Sequence, residues 1–330
     1  MNLDEPASVS DDWILDDSAR RLRRRRVVLR AHGCKVATCS MCHLPKESVD
    51  PSVAVTPANW LHQLEEVIDV HQDIDVLTLF HNGNFFSERE VPRDTLRLVL
   101  GHLRATKIQR LVVESLPAFI TEESLGRVRQ FLGPKILLEV AVGLQCQDDF
   151  LRKKLVRSTC TRKSFLRALE LTRHDGRSRL QVFVMFGIPF LTTAEALDET
   201  LRTLAWLESL GVSDPTICRL KVEPGTLAHE LAKAGLYQAP TDDHLASLLA
   251  HALELTNDRF HPRVARSLIG DGWAADLVSQ FNSREYESLR VACRPFRERC
   301  APEPYARAGL EARVTEHLAR VTSMREATER

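Results

Sequence analysis

The 330-residue chain predicts an α/β protein of six consecutive βα units followed by a helical extension. Three observations carry that reading. Short β-branched or apolar runs alternate with longer segments of helical period. Turn residues bound those runs, and beyond Leu227 the strand signal fades. The expected division is an arm over 1–25, a βα core over 26–226 and a helical extension over 227–330.

In chain order, Met1 to Ala19 are acidic and weakly patterned, which predicts a surface arm with a short helix around Trp13 to Leu15. "RRLRRRR", Arg20 to Arg26, reads as a phosphate-binding stripe or as the solvated approach to the first strand; the interrupting leucine favours the second. Strands are expected at Val27 to Arg30, Asp75 to Phe80, Arg110 to Glu114, Ile136 to Val142, Leu180 to Phe186 and Thr216 to Val222. Helices are expected at Pro57 to Val70, Arg93 to Ala105, Glu122 to Phe131, Gln147 to Val156, Lys163 to His174 and Thr193 to Leu210, the last opened by the cap signal "TTAEAL". A doubly wound sheet and an open or closed barrel all fit this count, and in each the ligands gather at the C-terminal ends of the strands.

Composition is that of a globular protein, with 44% hydrophobic and 27% charged residues. The 45 basic and 45 acidic side chains cancel, so no whole-chain charge argues for nucleic acid or membrane. The chain has neither an apolar run of transmembrane length nor a secretory signal, and a cytoplasmic location is expected. Eight cysteines are too few and too unevenly placed for a disulfide scaffold at this length.

Three of them are clustered. "VVLRAHGCKVATCSMCHLP", Val27 to Pro45, sets Cys34, Cys39 and Cys42 in a C-x4-C-x2-C loop directly after the first strand. Structural zinc wants four ligands, with His43 or His32 as the nearby fourth, and no second C-x2-C pair lies within the usual distance. Loop character argues against core thiols. An iron–sulfur cubane on three thiolates leaves its fourth iron open to chelate a substrate or cofactor.

At these residues the chain resembles the radical S-adenosylmethionine (SAM) superfamily, in the branch of the Elp3/YhcC-like proteins and the archaeosine synthase radical subunit. The resemblance runs from Val27 to Pro240. "HNGNFF" (His81 to Phe86) stands where the family has a Gly-rich turn, and "VVESLP" (Val112 to Pro117) resembles its third-strand motif. "AVGLQCQDDFLRKKLVRSTCTRKSFLRALE", "MFGIPFLTTAEALDET" and "LKVEPGTLAHELAKAGLYQAP" resemble the later motifs in order. The x4 spacing, the missing acidic residue at Asn82-Gly83-Asn84 and Met41 in place of an aromatic residue are departures.

The resemblance implies a partial (β/α)6 TIM-like barrel in which Cys34, Cys39 and Cys42 bind a [4Fe-4S] cluster and SAM chelates its open iron. It implies SAM contacts from Asn82, Gly83 and Asn84 to the amino group, Met41 against adenine, Glu114 as a polar contact, Gln145 to the ribose and Arg157 to the carboxylate. Met185 and Lys221 are further candidates, against core packing for the first and a surface position for the second. Arg152, Lys153 and Lys154 are expected on a solvated helix face. The implied chemistry is reductive cleavage of SAM to a 5′-deoxyadenosyl radical, which abstracts hydrogen from a bound substrate, with flavodoxin or ferredoxin as the reducing partner. The expected substrate is a small biosynthetic molecule, a nucleoside, sugar or amino acid. A tRNA-modifying enzyme and a non-catalytic zinc- or cluster-binding module are the alternatives. The helical extension is the candidate lid, with His261, Trp273, Asn282 and Tyr286 on its substrate side.

Overall fold

The computed structural model describes residues 2–68 and 73–328. Eight strands follow one another in chain order, β1 (Ser8–Leu15), β2 (Arg21–Val28), β3 (Val76–Phe80), β4 (Arg110–Glu114), β5 (Leu137–Gln145), β6 (Ser178–Phe186), β7 (Thr216–Arg219) and β8 (Arg263–Val264). The pair β1–β2 is antiparallel, and β2–β3, β3–β4, β4–β5, β6–β7 and β7–β8 are parallel. The chain divides into two compact units.

The first unit holds Met1–Ala37, Leu44–Gly143 and Lys163–Gln181. It contains β1 to β4, most of β5 and the helices α1 (Leu44–Glu47), α2 (Pro57–Glu65), α3 (Arg93–Leu103), α4 (Glu122–Leu132) and α5 (Arg162–His174), except for Arg162 itself. Its core is aliphatic: Val76, Leu77, Leu79, Leu111, Val113, Leu138, Val140 and Val142 are fully buried on the strands, with Leu100 and Leu103 from α3. Burial of consecutive residues is what a parallel sheet covered on both faces requires. Threonines cap α2 and α4, Thr56 through Asn59 and Thr121 through Ser124.

Two expectations are corrected here. Trp13 to Leu15 do not form a short helix but close strand β1, and the arginine run is not an approach to the first strand but part of strand β2 itself. Register explains both. Asp11 lies opposite Arg25 and Asp12 opposite Arg24. Arg25 binds Asp11 through two nitrogens, each at 2.7 Å, and Arg24 binds Asp12 at 2.8 and 2.6 Å. Arg23 and Arg26 add longer pairs to the same carboxylates. Cross-strand neutralisation lets four consecutive arginines sit in a strand. The helix expected over Pro57 to Val70 ends at Glu65, and residues 69–70 lie outside the described residues.

The second unit holds Thr38–His43, Leu144–Arg162 and Val182–Arg330. It contains most of β6, then β7 and β8, and the helices α6 (Thr193–Ser209), α7 (Leu227–Lys233), α8 (Asp242–Ala252), α9 (Trp273–Asn282), α10 (Tyr286–Cys293) and α11 (Arg307–Thr328). Val182, Val184, Phe186, Leu197, Leu204, Leu207 and Ile217 are buried together in its core. Thr192 accepts from the Glu195 N–H while Glu195 returns to the Thr192 N–H, so the expected cap of α6 is formed. The extension is not wholly helical, because β8 adds a short strand beside β7.

The helix expected over Gln147 to Val156 is a π-helical turn, Leu151–Val156. Arg152 is fully buried and not on a solvated face; only Lys153 and Lys154 are exposed. Its guanidinium donates to the main-chain oxygens of Cys146 and Cys160 and pairs with Asp149. The chain winds around that one cation, which satisfies buried main-chain carbonyls on both sides of the turn.

Candidate functional site

In the first unit, the loops after β2, β3 and β4 come together at the C-terminal ends of parallel strands, where an α/β sheet keeps its ligands. Gly33 takes φ +67°, and a β-carbon there would stand 2.1 Å from Ser48 Oγ, so only glycine fits. The next residue, Cys34, donates its N–H to the Asn82 oxygen at 2.7 Å, and Asn82 itself is left-handed at φ +59°. Gly83 is equally confined, since a β-carbon would lie 2.6 Å from Glu90 Oε2 and 2.7 Å from His81 Nε2.

Two carboxylates brace this turn from outside its own sequence. Glu114 Oε1 accepts the N–H groups of His81 at 2.9 Å and Gly83 at 3.1 Å. Burial pushes its carboxyl up to about 7; those N–H groups oppose the shift, and the charge of Glu90 adds to it. Glu90, buried, accepts the Asn84 N–H at 2.5 Å and the Lys35 N–H at 3.2 Å. Glu90 thus places a buried carboxylate against the Asn82-Gly83-Asn84 turn, which carries no acidic residue of its own.

Asn84 is buried and spends its whole amide inside the protein. Its oxygen accepts the Leu116 N–H at 2.8 Å, and Nδ2 donates to Glu90 at 2.9 and 3.0 Å and to Cys34 Sγ at 3.4 Å. His81 is 1% exposed, with its ring 5.2 Å from Trp60 and 6.4 Å from Phe85. Burial drives its pKa down to about 3, so it is neutral.

The second unit holds the other two thiols of the loop. Thr38 Oγ1 donates to the Arg157 oxygen at 2.9 Å, Ser40 N–H to Val156 at 2.8 Å and Ser40 Oγ to Leu155 at 2.6 Å. The π-helical turn thus offers its last carbonyls to the cysteine segment. Cys42 N–H donates to the Cys39 oxygen at 3.3 Å, a tight turn that keeps the two thiols near each other in the chain. Met41 between them is half-buried, and Arg157, left-handed at φ +57°, is exposed.

The remaining candidates are dispersed through the second unit. Gln145 closes β5 in a left-handed conformation, φ +69°. Met185 is buried on β6 beside Cys218 of β7, and its oxygen accepts from Thr200. Strand β7 stops at Arg219, three residues short of expectation, so Lys221 and Glu223 do not alternate on a strand. They pair with each other at 2.7 Å, with Lys221 largely exposed. Asn282 holds both main-chain groups of Val264, His261 stacks on Tyr286, and Trp273 stacks on Phe296.

Sequence reading missed Glu90, His81 and the buried carboxylate Glu199. Glu199 on α6 is 1% exposed, and burial pushes it up to about 7. Nothing in the spacing marks these residues, since each acts across a loop or helix contact. Cys34, Cys39 and Cys42 are free cysteines, and they are only half-buried, whereas Cys146, Cys160 and Cys293 are buried. Among the described residues no three His, Cys, Asp or Glu side chains form a cage for a single ion. A cubane takes each thiolate on a different iron, and three free cysteine thiols are the donor set it needs. No described helix is long and apolar enough to cross a membrane.

No protein-family profile matches the chain. It is 24% identical to an uncharacterised protein of Methanocaldococcus jannaschii over 69% of its length, and 24% identical to archaeosine synthase subunit beta of Methanosarcina acetivorans over 65%. The chain spans 65% and 62% of the length of these relatives. Queuine lyase from Clostridium spiroforme, solved with SAM and queuine, superposes with a TM-score of 0.54 at 18% identity, covering 79% of this chain and 98% of that one. Elp3 of Methanocaldococcus infernus superposes with a TM-score of 0.53 at 17% identity, over 72% of this chain and 60% of that one. A radical SAM methyltransferase from Sphaerobacter thermophilus gives 0.50 at 15%, over 79% and 76%. The chain has the α/β barrel-type fold of the radical SAM enzymes.

Proposed function

We propose that this chain, which carries the radical SAM fold, works as a radical SAM enzyme on a small substrate of nucleobase or nucleoside type. The observation that carries the reading is the cysteine loop: three free cysteines after β2, with Cys34 hydrogen-bonded through its main chain to Asn82 and through its sulfur to Asn84. Cys34, Cys39 and Cys42 would hold a [4Fe-4S] cluster, with SAM as the second cofactor. Bound together, these groups supply one-electron cleavage of a sulfonium C–S bond and, from it, hydrogen abstraction from the substrate.

The protein's own part is to position and to exclude water. Glu114 and Glu90 fix the Asn82-Gly83-Asn84 turn by accepting its N–H groups, which leaves its half-buried residues, Asn82 and Gly83, for the amino acid portion of SAM. Arg157, exposed at the end of the π-helical turn, suits a carboxylate. Met41 offers a polarisable surface to adenine, and Gln145 a polar group to the ribose. Glu114, Met185 and Lys221 stay candidates for the same cofactor, Glu114 through the turn it braces. A low-potential donor of the flavodoxin or ferredoxin kind would supply the electron.

The substrate class rests on the relatives named for archaeosine synthesis and on the neighbour solved with queuine. A second reading, modification of a base within tRNA, follows from the sequence resemblance to the archaeosine synthase subunit. Against it, Arg23 to Arg26 are engaged by Asp11 and Asp12 and do not form an open phosphate-binding stripe.

Anaerobic reconstitution with iron and sulfide, followed by dithionite and SAM, is expected to yield 5′-deoxyadenosine. Replacing Cys34, Cys39 and Cys42 together with alanine should abolish iron content, chromophore and product. Retention of the chromophore in that triple variant overturns the proposal. Free nucleoside and tRNA offered in parallel separate the two substrate readings.

A further inference from the structure

Asn84 is oriented by three independent contacts, and one of its protons has nowhere to go but a sulfur. The Leu116 N–H at 2.8 Å identifies Oδ1 and fixes the amide's flip. Glu90 takes one Nδ2 proton, at 2.9 and 3.0 Å to its two oxygens. The second proton points to Cys34 Sγ at 3.4 Å, an ordinary length for a nitrogen–sulfur hydrogen bond. Glu90 is itself held by the N–H groups of Asn84 and Lys35, and Asn84 is only 2% exposed. Rotating the amide away from the thiol would leave buried groups unsatisfied, which is expensive.

We infer that Asn84 is a positioning residue for the Cys34 thiolate, and that its Nδ2–H sets the reduction potential of the iron–sulfur cluster that this thiolate would ligate. The inference rests on the cluster reading above. A hydrogen bond to a ligand sulfur stabilises the more electron-rich state, so it raises the potential. Adding one electron from a low-potential donor increases negative charge on the sulfurs, and the amide proton meets that charge without itself being transferred. Glu90 acts one step back. By accepting the other proton it keeps the amide from turning, and its charge is separated from the sulfur by the amide.

The test is an EPR-monitored redox titration of anaerobically reconstituted protein, wild type against Asn84→Leu and Glu90→Gln. With iron and sulfide content equal to wild type, Asn84→Leu is expected to shift the reduction equilibrium about tenfold against the reduced form, which is about 59 mV for one electron. Glu90→Gln, which keeps an acceptor for Asn84 and removes a negative charge near the sulfur, should not reproduce that loss; a shift against the reduced form as large as that of Asn84→Leu overturns the inference. A loaded Asn84→Leu protein with an unchanged midpoint overturns the inference.

A second measurement needs no variant. Wild-type protein carrying 15N only in asparagine side-chain amides should show a nitrogen coupling to the reduced cluster in pulsed EPR, and absence of that coupling overturns the inference. A wild-type protein that takes up no iron and sulfide overturns the cluster reading, and this inference with it. A loaded cluster without either effect overturns this inference alone.

Discussion

Arg313, on α11, donates to the main-chain oxygen of Phe190 at 3.0 Å, and Phe190 sits at φ +75°, a conformation that bulky residues avoid. The same guanidinium binds Glu195 at 2.6 and 3.1 Å, and His317 of the same helix stacks on the Phe190 ring at 6.1 Å. A helix near the end of the chain therefore clamps the Gly187-Ile188-Pro189-Phe190 turn, at the C-terminal end of β6, in a strained backbone. Strain of this kind persists only where its surroundings over-determine it.

Arg313→Ala is expected to destabilise the protein by about 2 kcal/mol, the cost of losing charge-assisted hydrogen bonds to a nearly buried carboxylate. Urea denaturation reads this as a lower midpoint at unchanged slope. An unchanged midpoint would show that the clamp carries no energy.

Gly33→Ala tests the turn ahead of the first cysteine. The added methyl meets Ser48 Oγ at 2.1 Å and Ser48 Cβ at 2.9 Å in a left-handed backbone. A loss of roughly 3 kcal/mol is expected, combining overpacking with the backbone penalty. In a Ser48→Gly background the same substitution should cost roughly 1–2 kcal/mol, the backbone part alone. Equal costs in both backgrounds would place the clash elsewhere.

Glu199 predicts a pH dependence. Burial raises its carboxyl from 4.5 to about 7, and the nearby Asp148 charge acts in the same direction. The raised group keeps its proton longer in the folded state, so its contribution is complete below pH 4.5 and is lost as pH rises through 7. Stability should fall by about 3 kcal/mol over that window through this group. Glu199→Gln should flatten the midpoint-against-pH curve, and adding Glu114→Gln, also raised to about 7, should flatten it further. A curve as steep in the double variant as in wild type would contradict the assignment.

Freeing the arginines of β2 should change how the surface meets polyanions. Asp11→Asn with Asp12→Asn leaves Arg23, Arg24, Arg25 and Arg26 without their cross-strand carboxylates. The expected results are later elution from heparin and a loss below about 1 kcal/mol per exposed pair. Unchanged elution would mean that the arginines already face polyanions in the wild type.

The βα rhythm was legible because parallel strands are short, buried runs whose period differs from that of their helices. β4 matches its expected limits, and β6 and α6 differ from theirs by a residue or two. The cysteine loop was legible because three thiols in nine residues are rare in a chain this size. β1 and the arginine part of β2 were not, since adjacent carboxylates in one segment and consecutive guanidiniums in another look solvated until register sets them face to face. Arg152 was misread for a related reason: a cation beside two lysines reads as surface, and only the fold of 146–160 brings three acceptors around it.

Local order along the chain, then, determined the strand–helix alternation, the cap of α6 and the identity of the three thiols, because each depends on residues within a few positions of one another. Tertiary structure alone decided that Glu90 and Glu114 would brace the Asn82-Gly83-Asn84 turn, that Asn84 would reach Cys34, and that Arg313 would hold Phe190. Those contacts join residues that only folding brings within hydrogen-bond range, and burial then made each contact obligatory by removing the water that would otherwise have served the same groups.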